Sequence, residues 1–278
     1  MPADQRVNVL ADVAPVPGVE KPDPILAVDG VGKSFGGLRA VAVDRLQFQR
    51  GVITGLIGPN GAGKTTLFNL LTGFDQVDEG TWQFDGMSLG NARAHQVAQR
   101  GMVRTFQLTK ALTRLSVIEN MKLGARDQRG ERFLSALWRP SWKQQERRIE
   151  ARSDELLERF NLARMRDEYA GTLSGGQRRL LEMARALMAE PELLMLDEPM
   201  AGVNPALRQS LLGHITDLRD EGRSVIFIEH DMDVVMGISD WVVVLAEGTV
   251  IAEGPPESIL SNEEVIDAYL GAPTVDRS

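Results

Sequence analysis

Val52-Ile53-Thr54-Gly55-Leu56-Ile57-Gly58-Pro59-Asn60-Gly61-Ala62-Gly63-Lys64-Thr65-Thr66 is the stretch that decides how this chain folds. The apolar run Val52–Ile57, closed by glycine, predicts a buried strand, and Lys64–Thr72 predicts a helix. Between them Gly58 to Thr65 fit G-x-x-x-x-G-K-[ST]. Glycines let the backbone wind tightly enough for successive N–H groups to converge on one anion. The positive end of the following helix dipole adds to that field. Lys64 supplies a point charge, and the Thr65 hydroxyl is a ligand of the kind that Mg²⁺ takes. A dinucleotide-binding turn is excluded, because G-x-G-x-x-G is absent and a lysine follows Gly63.

Upstream, Ile25–Val28 and Leu38–Phe48 read as strands around a Gly36-Gly37 turn, and Thr81–Leu89 holds an Asp85-Gly86 hairpin signal. Downstream, Glu146–Phe160 places Ile149, Ser153, Leu156 and Phe160 at helical spacing within a charged segment. From about Thr105 to Ala170 the chain therefore reads as a helical insertion. A helix over Arg178–Ala189 follows, closed by Pro191. Short apolar strands come next at Leu193–Leu196, Val225–Ile228 and Val242–Leu245, the last turning at Glu247-Gly248 into Thr249–Ala252. Unbroken apolar strands alternating with helices imply a parallel sheet covered on both faces. Val265–Leu270 predicts a short terminal helix.

The 278 residues suit one large α/β domain. A formal charge of -8 argues against a general nucleic-acid binder, whose affinity rests on neutralising phosphates. With no cysteine there are no disulfides, thiolate chemistry or Cys-based metal sites. The longest apolar runs, such as Trp241–Ala246, fall far short of a membrane span. Residues 1–24, rich in Pro and Ala, lack the pattern of a signal peptide and are expected to be a disordered tail, with 273–278 loose.

A second glycine-rich helix start lies at Leu173-Ser174-Gly175-Gly176-Gln177, followed at once by the helical Arg178–Leu187. Leu193-Leu194-Met195-Leu196 then ends in the carboxylates Asp197 and Glu198. That places them at the carboxyl edge of a parallel sheet, where such sheets bind ligands. His230 follows the apolar Val225–Ile228 and reaches the same kind of edge, whereas His95 and His214 have no such context.

With these strings in this order, the chain resembles the ABC transporter ATPases from about Ile25 to Leu270. The resemblance implies an ABC-type P-loop NTPase fold: a parallel-sheet core, an N-terminal antiparallel β subdomain and an α-helical subdomain inserted at about 105–180, within a domain over 25–272. It implies ATP and Mg²⁺ as ligands. Asn60, Gly61, Ala62, Gly63, Lys64, Thr65 and Thr66 would hold the phosphates, and Phe35 would stack on adenine. Thr65, Gln107 and Asp197 would serve the metal. Glu198 matches the catalytic glutamate, His230 the switch histidine and Gln107 the glutamine at the entry to the helical subdomain. Ser174, Gly175, Gly176 and Gln177 would cap ATP bound by a second cassette. One departure stands in Ala201-Gly202-Val203-Asn204-Pro205, where the general family has aspartate in place of Asn204.

Further strings are similar to the ATPases of branched-chain amino acid importers: Val103-Arg104-Thr105-Phe106-Gln107, Val117-Ile118-Glu119-Asn120, Phe133–Trp142, Ala201–Pro205, Glu229–Met232 and Ala268-Tyr269-Leu270-Gly271. This implies transmembrane permeases and a second ATPase as partners, with an extracytoplasmic solute-binding protein acting indirectly. It also implies a peripheral place on the cytoplasmic face of the membrane and no nucleic acid. Urea or short-amide importers and lipopolysaccharide-export ATPases are the neighbouring readings. A soluble ABC ATPase acting on nucleic acid fits less well, since one cassette without extended heptads or a basic balance is present. A binding-only cassette is disfavoured because Lys64, Glu198 and His230 are all retained.

Overall fold

Residues Ile53–Ile57 (β3), every one of them buried, have no polar side to show to water beyond Thr54, so they form a strand covered on both faces. The structure, a computed structural model, describes residues 9–105, 113–126 and 139–270. Gln107, Phe106 and Phe133 therefore lie outside the described residues. The chain divides into two compact units, one made of 1–97 with 215–278 and the other of 98–214.

In the first unit Pro24–Phe35 (β1) and Leu38–Gln49 (β2) form an antiparallel hairpin, and β1 also pairs with Glu79–Phe84 (β4), which turns into Met87–Ser88 (β5). Their alternating burial turns Leu26, Val28, Leu46, Phe48 and Trp82 inward. Beside this sheet β3 pairs in parallel with Ser224–Ile228 (β8) on one side and Trp241–Ala246 (β9) on the other. Thr249–Gly254 (β10) closes the edge antiparallel to β9. Lys64–Leu71 (α1) leaves the end of β3 through the glycine loop, and Glu263–Leu270 (α9) ends the described chain.

The expected disordered tail does not hold over residues 9–23. Leu10 is buried, and side chains of β2 receive the passing backbone: Lys21 N–H donates to Gln47 Oε1 at 2.8 Å and Asp23 N–H to Gln49 Oε1 at 3.1 Å. Glu253 of β10 is the anchor. It accepts Gly18 N–H at 2.7 Å, Lys21 Nζ at 2.7 Å and Trp241 Nε1 at 2.9 Å. The Lys21 and Glu253 side chains are 1% and 0% exposed, and the ammonium also lies 4.2 Å over the Trp241 ring. Burial pulls the Lys21 pKa down against the opposing pull of Glu253. A buried carboxylate left without these donors would be costly, so one charge pair tethers a segment with no regular structure of its own.

The second unit is broader than the insertion expected at 105–180. Met102–Arg104 (β6) and Leu193–Asp197 (β7) pair in parallel and draw both flanks of the helical stretch into one body. Its helices include Val117–Lys122 (α3), Arg139–Arg159 (α4) and Gly175–Leu187 (α5). Of the residues at helical spacing, Ser153, Leu156 and Phe160 are buried while Ile149 is half-buried, and Leu157 is buried beside them. Arg166 gathers this unit's surface by pairing with Glu150 at 2.7 Å and Asp154 at 2.7 Å, both on α4. The helix Pro205–Asp220 (α6) runs from the second unit into the first.

Candidate functional site

The residues expected to act fall on both units. On the first, the loop after β3 is wound with positive φ at Gly58 (148°), Gly61 (81°) and Gly63 (95°). A β-carbon at Gly58 would meet the Leu245 carbonyl oxygen at 2.0 Å, and one at Gly63 would meet that of Ala40 at 2.4 Å. At Gly61 it would meet nothing within 4 Å. Glycine is thus demanded twice by crowding behind the loop and once by conformation alone, on its open side. Gly63 is the N-cap of α1 and offers no side chain to cap the first-turn amides, the kind of helix start that suits an anion. Lys64 Nζ donates back to the carbonyls of Gly58 at 2.7 Å and Pro59 at 2.9 Å. Its ammonium is held against the loop's own carbonyls.

The loop is braced from behind by the β9–β10 turn. Gly248 N–H donates to the Ala62 carbonyl at 3.1 Å, and Ala42 N–H of β2 donates to the Gly248 carbonyl at 2.8 Å. The antiparallel sheet and the phosphate loop are thereby one mechanical piece. Phe35 sits at the tip of the β1–β2 hairpin, 50% exposed, with Lys33 Nζ 5.4 Å from its ring centre. It does not pack into the core, so half of its surface remains exposed. His230 follows β8 and is exposed; Asp231 beside it caps Met232–Ile238 (α7), accepting the N–H groups of Asp233 and Val234. The cap holds His230 between strand and helix.

On the second unit, Asp197 ends β7 and is buried. Its Oδ2 accepts Arg104 Nη2 at 2.6 Å, with the two side chains 7% and 9% exposed. Glu198, next in line, has φ 47°, a left-handed conformation that non-glycine residues rarely take. The backbone therefore turns sharply just past the strand end, a strain that clusters where function requires it. Ser174 caps α5 by a reciprocal box: its hydroxyl accepts Gln177 N–H at 3.2 Å, and Gln177 Oε1 accepts Ser174 N–H at 2.9 Å. A β-carbon at Gly176 would strike Leu207 Cδ2 at 2.0 Å, whereas at Gly175 the space is open. Asn204 explains its own departure. Its Oδ1 accepts Leu207 N–H at 3.0 Å at the start of α6, and asparagine caps a helix as well as aspartate does.

Two participants are not evident from motif and spacing. Arg104 is one, because only the β6–β7 register, with Arg104 opposite Met195, brings it to Asp197. The other is α9, whose Glu264, Asp267 and Ala268 line a cleft with Pro59, Asn60 and Gly61 of the phosphate loop. Tyr269 reaches the Gly58 N–H, and its phenol pKa is raised by burial against the pull of that donor.

A family model described as "ABC transporter" matches residues 42–201, more than half of the chain. The chain belongs to the ABC transporter ATP-binding family. A second model, described as "Branched-chain amino acid ATP-binding cassette transporter", matches residues 249–274, the region of β10 and α9. The high-affinity branched-chain amino acid transport ATP-binding protein BraF of Pseudomonas aeruginosa is 42% identical over 250 residues, which cover 89% of this chain and 98% of that protein. The corresponding protein LivG of Escherichia coli K12 is also 42% identical with the same coverage. A probable branched-chain amino acid transport ATP-binding protein of Archaeoglobus fulgidus is 41% identical over 89% of this chain and 96% of its own length. Among solved structures, a nucleotide-free ATP-binding cassette of an ABC transporter superposes with a TM-score of 0.78 at 35% identity, covering 88% of this chain and 98% of that one. Another such cassette in its ADP conformation has the same TM-score and identity, covering 89% and 99%. The family is one of ATPases that energise transport, and the ABC-type α/β fold expected from the sequence is the fold observed. Among the described residues no helix is long and apolar enough to cross a membrane.

Proposed function

We propose that this chain is the ATP-hydrolysing subunit of an importer for branched-chain or other hydrophobic amino acids. The observation that carries this reading is the similarity to branched-chain transport ATPases along 89% of the chain, including a match to the terminal model specific to them. Its partners are transmembrane permeases and a second cassette, with an extracytoplasmic solute-binding protein upstream. Its place is peripheral, on the cytoplasmic face of the membrane.

The residues fit a metal–nucleotide. The uncapped amides of α1 and the Lys64 ammonium suit polyphosphate oxygens, and Thr65 and Asp197 are oxygen donors of the kind Mg²⁺ prefers. Phe35 stacks on adenine, and the N–H groups from Gly61 to Thr65 bind the β- and γ-phosphates. Thr65, Gln107 and Asp197 would hold Mg²⁺, which would supply neutralisation of the phosphate charge. Glu198 orients a water and accepts its proton as the water oxygen attacks the γ-phosphorus. The bond to the β–γ bridging oxygen breaks, yielding ADP and phosphate, while His230 donates to the γ-phosphate. Lys64 and the loop amides stabilise charge that moves onto the bridging oxygen. Ser174, Gly175, Gly176 and Gln177 complete the site of the opposite cassette, so ATP closes a pair of cassettes and hydrolysis reopens it.

Glu198→Gln tests both halves. Turnover should fall by about 100-fold or more with ATP binding retained, and light scattering should show a dimer only with Mg-ATP. Unimpaired turnover would remove Glu198 from its role. A persistent monomer that binds ATP would sink self-pairing and point to a different second ATPase.

A further inference from the structure

The buried pair between Arg104 and Asp197 has no place in the scheme above. Arg104 ends β6 opposite Met195, two residues short of Asp197, and Thr105 N–H donates to the Met195 carbonyl at 3.0 Å. This ladder fixes the strand so that the guanidinium extends to the end of β7. There Nη2 meets Asp197 Oδ2 at 2.6 Å, with both side chains more than nine-tenths buried. A charge-assisted bond of that length in a largely water-free setting is a strong occupant of the carboxylate. The same carboxylate is the one expected to serve the metal, and two cationic partners compete for its charge.

We propose that Arg104 is a latch on Asp197: in the nucleotide-free cassette it occupies the carboxylate, and arrival of the metal–nucleotide loosens the pair. The inference rests on the reading of Asp197 as a metal-site residue. Arg104 is a positioning residue in this scheme and touches neither nucleotide nor water. By linkage, whatever the pair withholds from the metal, the metal returns by weakening the pair.

Manganese is the probe, with binding followed by electron paramagnetic resonance on the purified full chain in saturating ADP. Arg104→Gln removes the competitor and keeps a polar side chain, so the Mn²⁺ dissociation constant should fall about fivefold or more. Arg104→Lys keeps the charge without the guanidinium geometry and should shift the constant in the same direction by less. It carries the test if the glutamine variant does not fold. A second readout is thermal unfolding: loss of the pair should lower the melting temperature of the nucleotide-free protein more than that of the Mn-ADP complex. Unchanged or weaker Mn²⁺ binding, together with equal loss of stability in both states, would overturn the latch and leave a structural ion pair. Asp197→Asn separates the two readings. If it weakens Mn²⁺ binding while Arg104→Gln does not strengthen it, only the latch fails. If Asp197→Asn leaves Mn²⁺ binding intact, the metal role of Asp197 fails first.

Discussion

Two helix starts in this molecule look alike in sequence and differ in what they leave open. The phosphate loop leads into α1 through Gly63, which has φ 95° and no side chain to close the first turn. The Ser174 loop leads into α5 through a complete capping box, in which Ser174 and Gln177 satisfy one another's backbone. Glycine also serves opposite ends. At Gly58 and Gly63 it lets the loop fold against neighbouring carbonyls, and at Gly176 it lets Leu207 of α6 approach. The first start is a tightly wound loop without a side-chain cap, the shape proposed to receive phosphates. The second is a capped, self-supporting end that presents Ser174 and Gly175 outward, suited to meeting a phosphate that another body holds.

That contrast can be broken in three places. The largest effect is expected at Gly63→Ala, where the new methyl meets a carbonyl at 2.4 Å on a backbone of the wrong hand. About 2–3 kcal/mol of strain falls on the loop, so ADP affinity by calorimetry should drop about 30-fold or more. Unchanged affinity would mean that the loop is not rigid. Next is Gly176→Ala, set against Gly175→Ala. The first must displace Leu207 and should cost about 1–3 kcal/mol in denaturant unfolding, whereas the second enters open space and should cost less than about 0.5 kcal/mol. Equal costs would show that packing does not distinguish the two glycines. Smallest is Ser174→Ala, which removes one half of the capping box and should cost about 1 kcal/mol while leaving ADP binding by the isolated chain unchanged. Weaker ADP binding there would contradict the assignment of this end to a second cassette's nucleotide.

Much of this was legible because it is local. The loop from Gly58 to Thr65 declares its conformation through glycines and its chemistry through Lys64, and strands buried on both faces read as unbroken apolar runs. Asp197, Glu198 and His230 follow such runs directly, so their arrival at strand ends needs no knowledge of the rest of the fold. The tail over 9–23 went the other way. Its Pro-rich composition speaks for disorder, yet Glu253, more than 230 residues away, holds Gly18 and Lys21. Arg104 was visible as a letter in a familiar string, but its pairing depends on the register between β6 and β7. Tyr269 belongs to the same class, since α9 meets the phosphate loop only through the path of the whole C-terminal segment.

By itself, then, the sequence determined the elements, the glycine-rich loop, the acidic strand end and the family, because each is written in residues near one another along the chain. Tertiary structure alone decided which polar groups meet: the charged pairs Arg104 with Asp197 and Lys21 with Glu253, and the neutral Tyr269 phenol with the Gly58 amide. Electrostatic pairing depends on distance in space and on burial, and neither is encoded in the spacing of residues along one strand or helix.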